Sequence, residues 1–522
     1  MGSESKVTYV TLSADDDEAR AAFTRAFADV QGMLGRTTSL SIAGKTRSTR
    51  NTTTSISPID RNVIVGHAAS ASRSDANDAI EAAHRAYPGW RRTPWHERAS
   101  RLRDVANLIR QRRYFLAALM IVEMGKNRAE ALGEVEETAD LIEYYVDRMT
   151  EAEGFVRPMG RLSVSDTNTS VLRPYGVWAV ISPWNFPYAL LGAPAAAALL
   201  MGNTVVTKPS SESPITGAAL MDLFLEAGFP EGVVNVLTGS GRVFGEALLN
   251  DARVGGVTFT GSYDVGFHQL YKGFAPDFPR PCIVEMGGKN PAIVMQSADL
   301  ERAVLGVYRA AFGMNGHKCS ACSRVYVHEA IADDFIDALR AKVNGSDIGN
   351  PVEREVFLGP LATEGSLADY ERYAQTARSA GAVLEGGARL TEGTFGAGLF
   401  ARPTLLTGLP EDHPLVKDEL FVPMLHLRKV RDLDEALRFA NDTKLGLTAG
   451  CFSRRQEELD RFVDEIEAGV VYLNRAAGAT TGAWPGVQPF GGWKGSGSTG
   501  RNIGGLYSLG CYAREQSRTV VD

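Results

Sequence analysis

The sequence predicts an α/β protein whose sheets are parallel and covered on both faces. Three observations carry this. From residue 176, short, largely apolar runs alternate with helix-forming stretches. The runs are VWAVI (177–181), TVVT (204–207), VVNVL (233–237), GVTFT (256–260) and CIVE (282–285), and the helical stretches fall at 190–201, 215–227 and 242–250. A strand with apolar residues in both of its alternating registers is buried on both faces, and strand–helix–strand order makes its neighbours parallel. The 522 residues suggest two to four domains at about 150 residues each. The same style resumes over 291–475, so a second α/β domain is expected. Composition agrees: 44% hydrophobic and 22% charged residues are ordinary globular usage and exclude collagen-like, coiled-coil and wholly disordered chains.

In order along the chain, a leading helix is expected from Asp15 to Leu34 with Ser13 as its N-cap. RTTSLSIAGKTRSTRNTTTS then reads as extended surface structure. Ser74 to Ala86 is an alanine-rich helix, and 95–125 and 127–150 place apolar residues at three- and four-residue spacing. Residues 155–173 switch to β-branched residues and turn formers, a hairpin. After the five strands come PAIVM, a helix at 299–314, RVYVH, a helix at 330–342, and strands near 404, 425 and 470. The tail, 503–522, alternates apolar and polar residues and reads as a strand.

Net charge is −7, with a pI near 5.8, which gives no pull toward nucleic acid or membrane phosphates. The most apolar window, Phe186 to Met201, is interrupted by proline and glycine and falls short of the roughly 20 residues a membrane span needs. The N-terminus lacks a signal-peptide pattern. Five cysteines are too few for a disulfide framework and fit a reducing cytoplasm. No metal-ligand cluster is evident.

Chemistry concentrates at strand ends. Cys319, in GHKCSACSR, sits in a turn between a helix and a strand, where a thiol can be exposed and reactive; alone it also reads as a buried small residue or as half of a CxxC pair with Cys322. Glu285 closes an apolar strand before two glycines, at the edge where α/β sheets bind ligands, and alone reads equally as a turn carboxylate. Asn185 lies between two prolines in SPWNFP, and its amide is a candidate oxyanion donor or a turn residue. Phe259-Thr260-Gly261-Ser262 joins strand to helix as a phosphate cradle or simply a tight turn, and Lys208 ends TVVTK as a ribose contact or a solvated lysine.

Taken together and in order, SPWNFP, TKPS, FTGS, EMGGKNP, GHKCSACSR, ELFVP and QPFGGWKGSG resemble the aldehyde dehydrogenase superfamily, and Cys319 follows Glu285 by the 34 residues that pattern expects. The resemblance implies a modified Rossmann domain for NAD or NADP at 1–153 and 175–287, a catalytic domain at 288–487, and a small β oligomerisation element from 154–174 and 500–522. It implies that Cys319 is the nucleophile, passing through a thiohemiacetal and a thioester. Asn185 and the Cys319 N–H would hold the oxyanion, and Glu285 would activate water. Cofactor contacts fall on Ile181, Ser182, Pro183, Trp184, Lys208, Ser211, Gly239, Gly261, Ser262, Gly287, Glu419 and Phe421. Where the family often has glycine after that phenylalanine, Val422 stands here.

Within the superfamily the chain looks most like the 1-pyrroline-5-carboxylate (glutamate semialdehyde) dehydrogenase branch. That implies a substrate carboxylate held by Ser320, Gly482 and Ala483 beside Phe490, with Glu134 facing the α-amino group or, alternatively, water. Tyr188 and Trp484 are bulky departures that would suit a less polar aliphatic or aromatic aldehyde. A non-catalytic binding homologue is the alternative of another class. The expected partners are a small aldehyde and further copies of the chain, in the cytoplasm.

Overall fold

The computed structural model describes residues 17–249, 251–275, 277–478 and 484–521. The leading helix α1 runs Asp17–Gln31, three residues short of the expected end; Ser13 and Asp15 lie outside the described residues. The stretch read as surface structure contains a hairpin, β1 (Leu40–Ile42) and β2 (Lys45–Arg47), with Leu40 and Ile42 buried. Four helices follow: α2 (Arg73–Trp90), α3 (Trp95–Gln111), α4 (Arg113–Met124) and α5 (Arg128–Glu151). Helix α2 starts at a capping box in which the Ser72 hydroxyl accepts from the Asp75 N–H and the Asp75 carboxylate accepts from the Ser72 N–H.

The expected hairpin is β3 (Val156–Pro158) and β4 (Asp166–Pro174). Five strands then alternate with helices: β5 (Val177–Ile181), α6 (Ala189–Leu200), β6 (Thr204–Lys208), α7 (Pro214–Glu226), β7 (Val234–Val236), α8 (Gly241–Leu249), β8 (Val254–Thr260) and β9 (Cys282–Glu285). They form a sheet in the order β9-β8-β5-β6-β7-β1-β2, parallel among β5 to β9, with the β1–β2 hairpin antiparallel at its edge. The reason for continuous apolarity is visible in β5. Val177 and Ala179 pack into the core shared with α2, while Trp178 and Val180 pack into the core shared with α3, α5 and α6. Alternate side chains face opposite sides of a strand, so two covered faces require two apolar registers. Helix α6 is apolar on every side because α5 covers one side of it and the sheet the other.

Four residues, Met286–Lys289, link β9 to β10 (Asn290–Val294), which lies in a second sheet. That sheet adds helix α9 (Leu300–Phe312), β11 (Cys322–His328), β12 (Val383–Glu385), β13 (Thr404–Thr407), β14 (Met424–Val430), β15 (Thr448–Phe452) and β16 (Val470–Leu473), in the order β12-β13-β14-β11-β10-β15-β16. The tail strand β17 (Ala513–Val521) pairs along the length of β4, so a three-stranded sheet β17-β4-β3 stands apart from the other two. Among the described residues no helix is long and apolar enough to cross a membrane.

Candidate active site

The carboxyl ends of β5, β6, β7, β8 and β9 lie along one edge of the first sheet and carry most of the predicted residues. The register pairs Ile181 with Lys208, and Thr260 with Glu285. Ser182, Pro183 and Trp184 leave β5 at this edge, Gly239 lies three residues beyond β7, and Gly261 and Ser262 follow β8. Ser211 sits in the exposed turn after β6. Gly239 holds φ +112°, and a Cβ there would lie 3.0 Å from the Ala71 N, so this turn needs glycine. The helix after Ser262, Asp264–Tyr271, is a π-helix. Lys208 is buried with its ammonium on the Pro209 carbonyl, and burial lowers it to about 8.

Glu285 ends β9 and is 6% exposed. Burial raises its carboxyl to about 8, opposed by a single weak contact from the Gly492 N–H at 3.4 Å. The segment 492–498 wraps this strand end: the Met286 N–H donates to the Ser496 carbonyl at 2.8 Å, and the Ser496 hydroxyl donates to the Gly287 carbonyl at 2.7 Å. The motif QPFGGWKGSG, anonymous as a loop in the sequence, is therefore the wall around Glu285.

Cys319 is half-buried in the turn between α9 and β11. Burial pushes its thiol up to about 12, and the carboxylates of Glu419 and Glu285 push the same way, while the Ser320 and Cys319 N–H groups oppose. Asn185 is buried, and its amide donates to the His317 carbonyl at 2.9 Å, which ties the β5 turn to the cysteine turn. The buried His317 ring meets Trp184 edge-on at 4.9 Å and lies parallel to Phe421 at 5.9 Å. Burial lowers this imidazole to about 3, so it is neutral.

Glu419 reaches across from the second sheet to accept from the Gly288 N–H at 2.9 Å. Burial raises it to about 7. A Cβ on Gly287 would lie 1.9 Å from the Glu419 Oε2, so glycine is required for this approach. Val422, the departure from the family pattern, is accommodated because the left-handed residue is Phe421, with φ 58°, and the valine packs into the core beside Leu420 and Met424.

Three expectations at the substrate end change. Glu134 is fully buried: its Oε1 accepts from the Tyr188 N–H at 2.8 Å and the Ala189 N–H at 3.2 Å, and its Oε2 pairs with Lys126. Both oxygens are committed to the start of α6 and to a buried cation, which leaves none for a substrate amine or for water. Tyr188 is 1% exposed with its hydroxyl on the Leu116 carbonyl, and Trp484 is 1% exposed with its indole N–H on Asp140. Neither presents bulk at an open surface. Ser320 is buried one residue beyond Cys319, and Phe490 pairs with Ile503 through both backbone bonds. Gly482 and Ala483 lie outside the described residues.

The edge fits a dinucleotide. Ser182 Oγ and Thr260 Oγ1, at the ends of the adjacent strands β5 and β8, are buried and have no partner among the described residues. Buried hydroxyls are normally satisfied, so two orphans side by side mark a place for a polar ligand. Sequence reading placed Thr260 in the FTGS cradle but gave the cofactor contacts to Gly261 and Ser262, and it gave no role to Asn290 or Thr448, which hold the cysteine turn; only adjacency to EMGGK pointed at Asn290.

A parallel-sheet edge with this donor set, with a buried glutamate and an amide at its strand ends and tied to a turn that carries a cysteine, is the arrangement of an oxidoreductase of the aldehyde group. The family profile described as Aldehyde dehydrogenase family matches residues 45–517, and the chain belongs to that family. Within it, the chain is 34% identical over 509 residues to a Geobacillus thermodenitrificans protein named 1-pyrroline-5-carboxylate dehydrogenase, covering 97% of this chain and 96% of that one. A solved point mutant of Thermus thermophilus 1-pyrroline-5-carboxylate dehydrogenase is 33% identical, with a TM-score of 0.94 and full coverage of both chains. The 1-pyrroline-5-carboxylate dehydrogenase from Thermus solved with bound NAD is 34% identical, with a TM-score of 0.93 and full coverage of both.

Proposed function

We propose that this protein oxidises L-glutamate γ-semialdehyde, the open form of 1-pyrroline-5-carboxylate, to glutamate with NAD. The observation that carries the substrate is the full-length likeness to relatives of that name, with the fold preserved end to end. The buried positions of Tyr188 and Trp484 support it, because they remove the bulk that favoured an apolar aldehyde.

The Cys319 sulfur adds to the aldehyde carbon. The Cys319 N–H, on the turn where the oxyanion develops, and the second N–H of the Asn185 amide, whose other contact is the His317 carbonyl of that turn, would donate to it. NAD, when bound along the strand ends, supplies the two-electron acceptor. Ser182, Thr260, Lys208, Gly261 and Ser262 would hold it from the first sheet, and Glu419 and Phe421 from the second. The resulting thioester on Cys319 needs water with its proton removed. Glu285, near neutrality rather than strongly acidic, suits a base that takes and returns that proton. Ser320 would contact the substrate carboxylate, with Gly482 and Ala483 completing the anchor beside Phe490. Ser211 itself carries no charge to repel a 2′-phosphate, although Glu212 stands next to it, and on that ground NAD is used and NADP is accepted. In this reading 1–153 with 175–287 serves the cofactor, 288–487 the chemistry, and 154–174 with 500–522 a homo-oligomer contact in the cytoplasm.

The test is a kinetic panel. The expected kcat/KM for 1-pyrroline-5-carboxylate exceeds those for hexanal and benzaldehyde; the reverse order overturns the substrate and leaves the family assignment standing.

A further inference from the structure

The turn that presents Cys319 has its carbonyls claimed one by one. The Asn290 Nδ2 donates to the Cys319 carbonyl at 2.7 Å and to the Ala321 carbonyl at 2.9 Å. Between them, the Thr448 hydroxyl donates to the Ser320 carbonyl at 3.1 Å. The Thr448 N–H donates in turn to the Asn290 Oδ1 at 2.9 Å, so the two side chains lock each other. The preceding Lys318 carbonyl accepts from the Ala321 N–H at 2.9 Å. Both side chains are buried, at 2% and 1% exposure, and they come from β10 and β15, neighbouring strands of the second sheet. Gly288 packs so tightly here that a Cβ would lie 2.4 Å from the Asn290 Oδ1 and 2.6 Å from the Cys319 carbonyl oxygen.

In a trans peptide the C=O and N–H point in opposite directions. Fixing the Cys319 carbonyl on Asn290 therefore aims the Ser320 N–H the other way, toward the sulfur. We propose that Asn290 and Thr448 are positioning residues that hold the nucleophile turn with its carbonyls turned back and its N–H groups turned to the sulfur and the developing oxyanion. Neither touches substrate; each acts through the peptide planes it orients. The Ser320 and Cys319 N–H groups favour the Cys319 thiolate, against burial and two carboxylates. Releasing the Cys319 carbonyl from Asn290 lets the peptide of the Ser320 N–H rotate. Releasing the Ser320 carbonyl from Thr448 loosens the Ala321 N–H of the same peptide, and with it the Lys318 carbonyl it holds, whose peptide carries the Cys319 N–H. Both weaken the thiolate and the oxyanion hole together. A rotated peptide would even place a carbonyl oxygen beside the sulfur, where it repels negative charge.

This rests on Cys319 being the nucleophile. The experiment compares Thr448→Val, which keeps shape and removes the hydroxyl, with Thr448→Ser, which keeps the hydroxyl, and adds Asn290→Asp, which puts an acceptor against two carbonyls. Each variant is assayed for kcat, KM for NAD, and the pH profile of Cys319 alkylation by iodoacetamide. Thr448→Val is expected to lower kcat about tenfold and move the alkylation midpoint to higher pH, with KM for NAD within about twofold. Thr448→Ser restores both readouts, and Asn290→Asp exceeds the valine effect in both. Should Thr448→Val fail to fold, Asn290→Asp against wild type decides on the same readouts. Wild-type kcat and alkylation profile in the folded Thr448→Val or Asn290→Asp protein overturns the clamp. Activity retained in Cys319→Ser overturns the nucleophile assignment itself, a separate outcome.

Discussion

Glu285→Gln is expected to cost activity and add stability, and both magnitudes follow from its burial. The carboxyl is raised from 4.5 to about 8, chiefly by desolvation, with one weak contact from the Gly492 N–H in opposition. A raised carboxyl binds its proton more tightly folded than unfolded, so folding carries a cost that begins above the unfolded value and grows until the folded value is passed. At pH 7 the folded group is mostly protonated while the unfolded one is ionised, a cost of ~3 kcal/mol; above pH 8 it levels off near ~5 kcal/mol. Glutamine has the shape without the charge and escapes this cost. The variant should therefore melt above wild type at pH 7 to 9, and the gap should vanish toward pH 4, in calorimetric scans of the cofactor-free protein. Activity moves oppositely. Loss of the base slows thioester hydrolysis by about 10²-fold or more, the usual worth of positioned proton transfer. A burst of NADH, one per site, should precede a slow steady state. In wild type the deacylation rate should climb about tenfold from pH 7 to pH 9 as the base ionises. Equal melting temperatures across this range, or a steady state without a burst, would refute the assignment of a buried, near-neutral base.

Cys319→Ala should abolish aldehyde oxidation while NAD binding by calorimetry stays within about threefold, since no strand-end contact is touched; activity retained there and lost in Cys322→Ala would reassign the nucleophile. Gly287→Ala forces Glu419 off the Gly288 N–H, because its Cβ would sit 1.9 Å from the Glu419 Oε2. Its KM for NAD should rise about tenfold or more, with the fold retained by circular dichroism. Ser211→Glu adds a negative charge at the exposed turn after β6, and kcat/KM with NADP should fall about tenfold or more relative to NAD.

Much of this was legible in the sequence for simple reasons. Strands with apolar residues in both registers, such as 177–181, announce two covered faces, and the helix-length stretches between strands favour parallel order. Cys319, Glu285 and Asn185 stand in motifs whose turn chemistry is local, so their places at strand ends could be read before the fold was known. What local pattern could not supply was partnership across the chain. Leu40 and Ile42 sit in a polar stretch, and only the open edge of the first sheet beside β7 made them core. Glu134 has helical spacing and a charge, which suits a surface; it is buried because Lys126 and the two N–H groups opening α6 converge on it from other elements. Thr448 lies 129 residues beyond Cys319, and only the adjacency of β10 and β15 brings it to the Ser320 carbonyl. The sequence by itself determined the layers and the reactive groups, because burial periodicity and turn chemistry act over a few residues. The tertiary structure decided which polar atoms are satisfied and which stay open for a ligand, because hydrogen bonds and desolvation depend on distances that chain separation does not encode.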